Sequence, residues 1–74
     1  MVQQKGKKVK LFDFNQTLKL IVEGKKMSRQ KWQNTGYYGF LKNNQVHLHK
    51  VDGYDYQWII GIDDIMGKDF FILN

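Results

Sequence analysis

The sequence predicts an α+β fold, with one N-terminal helix packed on a small antiparallel β-sheet in a single domain. Three observations predict it. Phe14, Leu18, Ile21 and Val22 recur at helical spacing between a capping signal and a glycine. After Gly36 the pattern becomes that of strands, with short aromatic runs separated by Asn43-Asn44 and Asp52-Gly53. The chain has 74 residues, room for one core and not for a linker and a second.

Each element has its own justification. Asp13 followed by Gln16 is a capping box, in which side chain and backbone N–H groups satisfy one another at a helix start. Gly24 supplies the left-handed stop, and Lys25 and Lys26 suit the negative end of the helix dipole. Ser28 is placed to cap a single helical turn through Trp32. Residues 33–36 have turn composition. Tyr37 to Leu41 reads as a strand, Asn43-Asn44 as a hairpin turn and Gln45 to Val51 as its partner. Tyr54 to Ile60 reads as a third strand. Ile62 to Met66 makes a short helical segment that Gly67 ends, and Phe70 to Leu73 closes the fold as a buried strand.

The formal charge of +5 is unevenly placed. Lys5, Lys7, Lys8 and Lys10 fall in the first ten residues with no acidic residue among them, so residues 11–74 carry a net +1. The chain therefore divides into a basic arm, 1–10, and a nearly neutral α+β domain, 11–74. Val9 and Leu11, alternating with lysines, could also begin an edge strand. Nucleic-acid modules usually spread basic charge over a face that tracks phosphates, and this distribution argues against nucleic acid as a partner. There is no cysteine for a disulfide or a thiolate metal site, and no apolar run of membrane-spanning length or signal-peptide core. The expectation is an intracellular domain stabilised by its own copies, since so short a chain buries little surface.

Catalytic chemistry finds little support. Ser28 is the sole serine, neither histidine shares a motif with it, and Asp63 and Asp64 diverge on a helical turn. His47 and His49 share a strand face, yet no neighbouring ligand in the sequence completes a metal set. No catalytic residue, metal or cofactor is expected. The distinctive feature is the aromatic content: eleven rings exceed what one small core can bury, which places several at an interface or pocket. Oligomerisation through the aromatic sheet follows. Arg29 and Trp32 lie together after Gly24-Lys25-Lys26, where an indole can stack on a base and a guanidinium can pair with phosphate. Alternatively Trp32 plugs the core and Arg29 clamps backbone carbonyls.

The order of Phe14, Leu18, Gly24-Lys25-Lys26, Arg29-Gln30-Lys31-Trp32, Gly36, Trp58 and Asp64-Ile65-Met66-Gly67-Lys68-Asp69-Phe70 resembles the type-two Thoeris anti-defence family of small phage proteins. The match runs from about Phe14 to Leu73. The resemblance implies a homotetramer in the cytoplasm of the infected bacterial host. It implies sequestration, without degradation, of a cyclic ADP-ribose-type signal, and in some relatives of cyclic dinucleotides. On that reading Trp32 stacks on the base, Arg29 meets the pyrophosphate and Asn34 reads polar edges, while Trp58 and Asp64 form the wall and bind ribose hydroxyls. The competing reading is a small nucleic-acid-binding module in which Tyr37, Tyr54 and Tyr56 stack bases and the basic arm tracks phosphates.

Overall fold

A computed structural model describes residues 9–33 and 35–73 of the chain. The basic arm up to residue 8 lies outside them. The order of elements is α1 (Phe14–Val22), β1 (Met27–Arg29), a 3-10 turn (Gln30–Trp32), β2 (Tyr38–Lys42), β3 (Gln45–His49), β4 (Asp55–Gln57), α2 (Ile62–Ile65) and β5 (Phe70–Ile72). This is a small α+β domain built on one antiparallel five-stranded sheet in the order β4-β3-β2-β1-β5. No helix among the described residues is long and apolar enough to cross a membrane.

Helix α1 begins as its capping box requires. Gln16 N–H donates to Asp13 Oδ1 at 2.8 Å, and Asp13 N–H returns a bond to Gln16 Oε1 at 3.1 Å. Gly24, at φ 102°, follows the C-cap and releases the chain into β1. Asn43 and Asn44 both take positive φ, 53° and 63°, which gives the two-residue turn a twist matching its flanking strands.

Strand alternation sorts the side chains. Met27, Gly39 and Leu48 stand in register on one face, as do Leu41 and Val46. Ile21, Met27, Trp58 and Phe70 form the buried centre against that face, with Phe14, Trp32, Leu41, Val46 and Leu48 packed around them. Gly39 has a packing reason to be glycine: a Cβ there would sit 2.9 Å from Trp58 Cζ3 and 3.5 Å from Ile21 Cδ1. Gly39→Ala is expected to cost about 1–3 kcal/mol through overpacking, measured as a fall in urea midpoint at unchanged slope. An unchanged midpoint would show that the Trp58 ring moves aside freely.

Several boundaries differ from the sequence reading: β2 is shifted by one residue, and β3 and β5 end at His49 and Ile72 rather than Val51 and Leu73. Ser28 caps no helix; it lies within β1, and its hydroxyl donates to the Tyr37 carbonyl at 2.8 Å, tying β1 to the entry of β2. The third strand shrinks to Asp55–Gln57, because Trp58 N–H still bonds the Val46 carbonyl while its indole turns into the core and draws the chain off the sheet. Of the edge strand suggested by Val9 and Leu11, one antiparallel bridge forms, between Phe12 and Phe70.

Candidate functional site

Arg29 is anchored by three carboxylates. Strand β1 points its side chain to the core face, where it is 5% exposed. Its Nε donates to Asp69 Oδ1 at 2.9 Å, and its Nη1 lies 3.2 Å from Asp64 Oδ1 and 3.3 Å from Asp63 Oδ2. The guanidinium lies over the Phe70 ring, 4.8 Å from its centroid. The carboxylates are held in turn. Asp69 Oδ2 accepts the Lys31 backbone N–H at 2.9 Å, Asp64 Oδ2 accepts the Gly61 N–H at 3.1 Å, and Lys31 Nζ pairs with Asp63. Arg29 thus fastens β1, the 3-10 turn, α2 and the entry to β5 around one cation. Gly67 completes the cluster, since a Cβ there would come within 2.6 Å of Arg29 Nη2.

These contacts set the acidities. The Lys31 ammonium hydrogen-bonded to Asp63 holds that carboxyl below its usual range. For Asp69, burial pushes upward but is outweighed by the Lys31 backbone N–H and the Arg29 guanidinium, so its carboxyl also lies low.

Beside this cluster β1 and β2 part company. The two strands pair at Met27 and Gly39; beyond Arg29 the chain enters the 3-10 turn, and it rejoins the sheet at Tyr38. Thr35 braces the excursion: its hydroxyl donates to the Trp32 carbonyl at 2.6 Å and accepts the Tyr37 N–H at 3.0 Å. Gly36 turns the corner at φ 77°. The gap left by the departing strands is a cleft of about 370 Å³, whose lining includes Ser28, Arg29, Gln30, Trp32, Tyr37 and Phe71. Trp32 is half-buried. Its ring meets Trp58 at 5.6 Å, Phe70 at 6.2 Å and Tyr37 at 6.3 Å between centroids.

Of the residues expected at a ligand site, Arg29 and Trp32 border the cleft, and Trp58 and Asp64 do not line it. Trp58 is 8% exposed and in ring contact with Phe14, Trp32 and Phe70. Asp64 has one carboxylate oxygen on Arg29 and the other on Gly61. Asn34 lies outside the described residues. The guanidinium expected to meet a pyrophosphate is shared among three aspartates, and the clamp weighed as its alternative role falls on carboxylates rather than carbonyls. Sequence reasoning missed Ser28, Tyr37 and Phe71 as cleft residues, and Asp63 and Asp69 as partners of Arg29. The clustering of three aspartates between residues 63 and 69 was a signal that a buried cation stands opposite.

The other sheet face carries Tyr38 paired with His49 and Phe40 paired with His47, all half-buried. His49 stacks on Tyr38 at 4.8 Å, and its Nδ1 lies 2.7 Å from Asp55 Oδ1, a contact that lowers the Asp55 carboxyl below its usual range. Among the described residues no group of three His, Cys, Asp or Glu side chains is disposed to hold a metal. Of the tyrosines of the nucleic-acid reading, Tyr37 and Tyr56 share Lys50, whose Nζ lies 5.9 and 4.8 Å from their ring centroids. Tyr37 packs on Trp32, the Tyr56 hydroxyl donates to Asp52 Oδ2 at 2.6 Å, and Tyr54 is exposed. Compared with known proteins, the chain matches no family model and no curated protein.

Proposed function

We propose that this protein binds a small cyclic nucleotide of the cyclic ADP-ribose type and sequesters it unchanged, as a homo-oligomer, so that an immune effector depending on that signal stays inactive. The observation that carries the reading is the cleft beside Trp32, whose volume of about 370 Å³ falls in the range that takes a small ligand. Its lining combines an indole and two further rings with Ser28 and Gln33, a suitable mixture for a flat base with polar edges. The order of motifs from Phe14 to Phe70 supports the same class of ligand, with cyclic dinucleotides as close chemical alternatives. In this reading Trp32 supplies the stacking surface. Arg29 and Asp64 act on the ligand through the turn they fix, and Trp58 acts by backing Trp32. No step of bond cleavage is assigned to any residue.

Incubation with a cyclic ADP-ribose-type signal is expected to deplete free ligand, and heating the complex to release it intact. At saturating ligand the fold should gain on the order of 3 to 4 kcal/mol. Trp32→Ala is expected to weaken capture by about 1–3 kcal/mol, the scale of one lost base–aromatic stack, in protein shown to be folded by circular dichroism. Release of a linear or hydrolysed nucleotide would replace sequestration with catalysis. Normal capture by folded Trp32→Ala would move the site away from this cleft.

A further inference from the structure

Lys50 follows β3 directly, and the register that pairs Tyr38 with His49 sets Tyr37 opposite Lys50, one residue beyond the ladder. The Lys50 backbone is fixed. Its N–H donates to the Tyr54 carbonyl at 3.1 Å, and its own carbonyl accepts the Gly53 N–H at 3.0 Å. Its ammonium rests on rings, with Nζ 5.9 Å from the centroid of Tyr37 and 4.8 Å from that of Tyr56. Tyr56 is held in turn, since its hydroxyl donates to Asp52 Oδ2 at 2.6 Å while Asp52 Oδ1 accepts the Tyr54 N–H at 2.9 Å. Aromatic faces orient an ammonium without neutralising it. Among the described residues no carboxylate forms an ion pair with Lys50; Asp52 feels its charge, but both carboxylate oxygens of Asp52 are engaged.

Tyr37 joins this cation to the cleft. It belongs to the cleft lining, and its ring also packs on Trp32 at 6.3 Å between centroids. A cyclic nucleotide of the class proposed above carries phosphates as well as a base, so a site that stacks the base must also meet negative charge. Arg29 is not available for that task, because its guanidinium is shared among three aspartates. Lys31 and Lys42 pair with Asp63 and Asp55. Lys10 and Lys26 lie over Phe12 and Tyr38, neither of which lines the cleft. Lys50 is left as the cation whose ring contact reaches the cleft lining. We infer that Lys50 is the phosphate-binding residue of this site, an ammonium poised on Tyr37 and Tyr56 to meet the pyrophosphate of a ligand whose base stacks on Trp32. An ammonium on a flexible four-carbon stem brings three donors to the phosphate oxygens by side-chain rotation alone. The inference rests on the proposed function and deepens it, since it makes the cleft selective for phosphorylated ligands over neutral ones with the same base.

Isothermal titration calorimetry with cyclic ADP-ribose and with adenosine tests this, because the two share a base and differ in phosphate charge. The wild type should hold cyclic ADP-ribose more tightly than adenosine. Lys50→Met should weaken cyclic ADP-ribose by about ten-fold or more, the scale of one hydrogen bond to a charged group, and leave adenosine unchanged. Lys50→Arg, which keeps the charge, should restore most of the lost affinity. Lys42→Met removes a lysine already paired with Asp55 and should change neither ligand. If Lys50→Met fails to fold, the wild type alone still decides: raising salt from about 50 to about 500 mM should weaken cyclic ADP-ribose and spare adenosine. Wild-type affinity for cyclic ADP-ribose in folded Lys50→Met, or equal salt dependence of the two ligands, would overturn the inference while leaving capture by the cleft in place. A wild-type chain that takes up neither ligand would sink the reading of the cleft itself, and this inference with it.

Discussion

Replacing Arg29 with methionine is expected to destabilise the fold by about 2–4 kcal/mol, because it strips the shared cation from carboxylates that folding has partly removed from water. The estimate sits at the lower part of the range for broken buried pairs because Asp63 is exposed and can rehydrate. For a domain of this size the loss corresponds to a fall of about 10–25 °C in melting temperature, a large fraction of the stability a small domain has. Arg29→Lys should recover little, since a single ammonium cannot reproduce the fork that reaches Asp69 through Nε and Asp63 and Asp64 through Nη1. The same cluster is expected to make the wild type acid-labile. Asp63 and Asp69 are held below the usual carboxyl value of 3.8, so protonating them costs more in the folded chain than in the unfolded one. Their contribution is complete above that value and is lost as the pH falls through the depressed folded-state values. Urea midpoints between about pH 5 and pH 2 should fall steeply for the wild type and more shallowly for Arg29→Met. Parallel curves would show that the acid sensitivity arises elsewhere.

Trp58→Ala should cost about 3–5 kcal/mol, the scale for deleting a large buried aromatic side chain. The indole touches Phe14, Trp32 and Phe70 and seals the contact over Gly39, so its removal opens a cavity at the junction of sheet and helix. Trp58→Phe should retain roughly half of that stability by keeping a ring in place. Chemical denaturation of the three proteins measures both. A loss below about 1 kcal/mol for Trp58→Ala would take Trp58 out of the core and return it to the wall of a ligand site.

Local rules written into the chain settled the elements whose stability is local. The Asp13–Gln16 box, the Gly24 stop and the Asn43-Asn44 turn need only neighbours in sequence, and each forms as the residues specify. The change from helical to strand period after Gly36 likewise determined an α+β domain with an antiparallel sheet. Where the sequence reading departs from the structure, a distant partner overrides the local preference. Ser28 had the composition of a cap, but the carbonyl of Tyr37 and a place between β5 and β2 made it a strand residue. Trp58 lay in a strand-like run, but the core claimed its indole. The fate of Arg29 was the least legible, because its partners lie 34 to 40 residues away. A guanidinium beside an indole reads equally well as a ligand contact or a clamp until folding delivers the three carboxylates. That delivery also leaves Ile62 and Ile65 of α2 exposed, an arrangement that no periodicity in so short a helix announces.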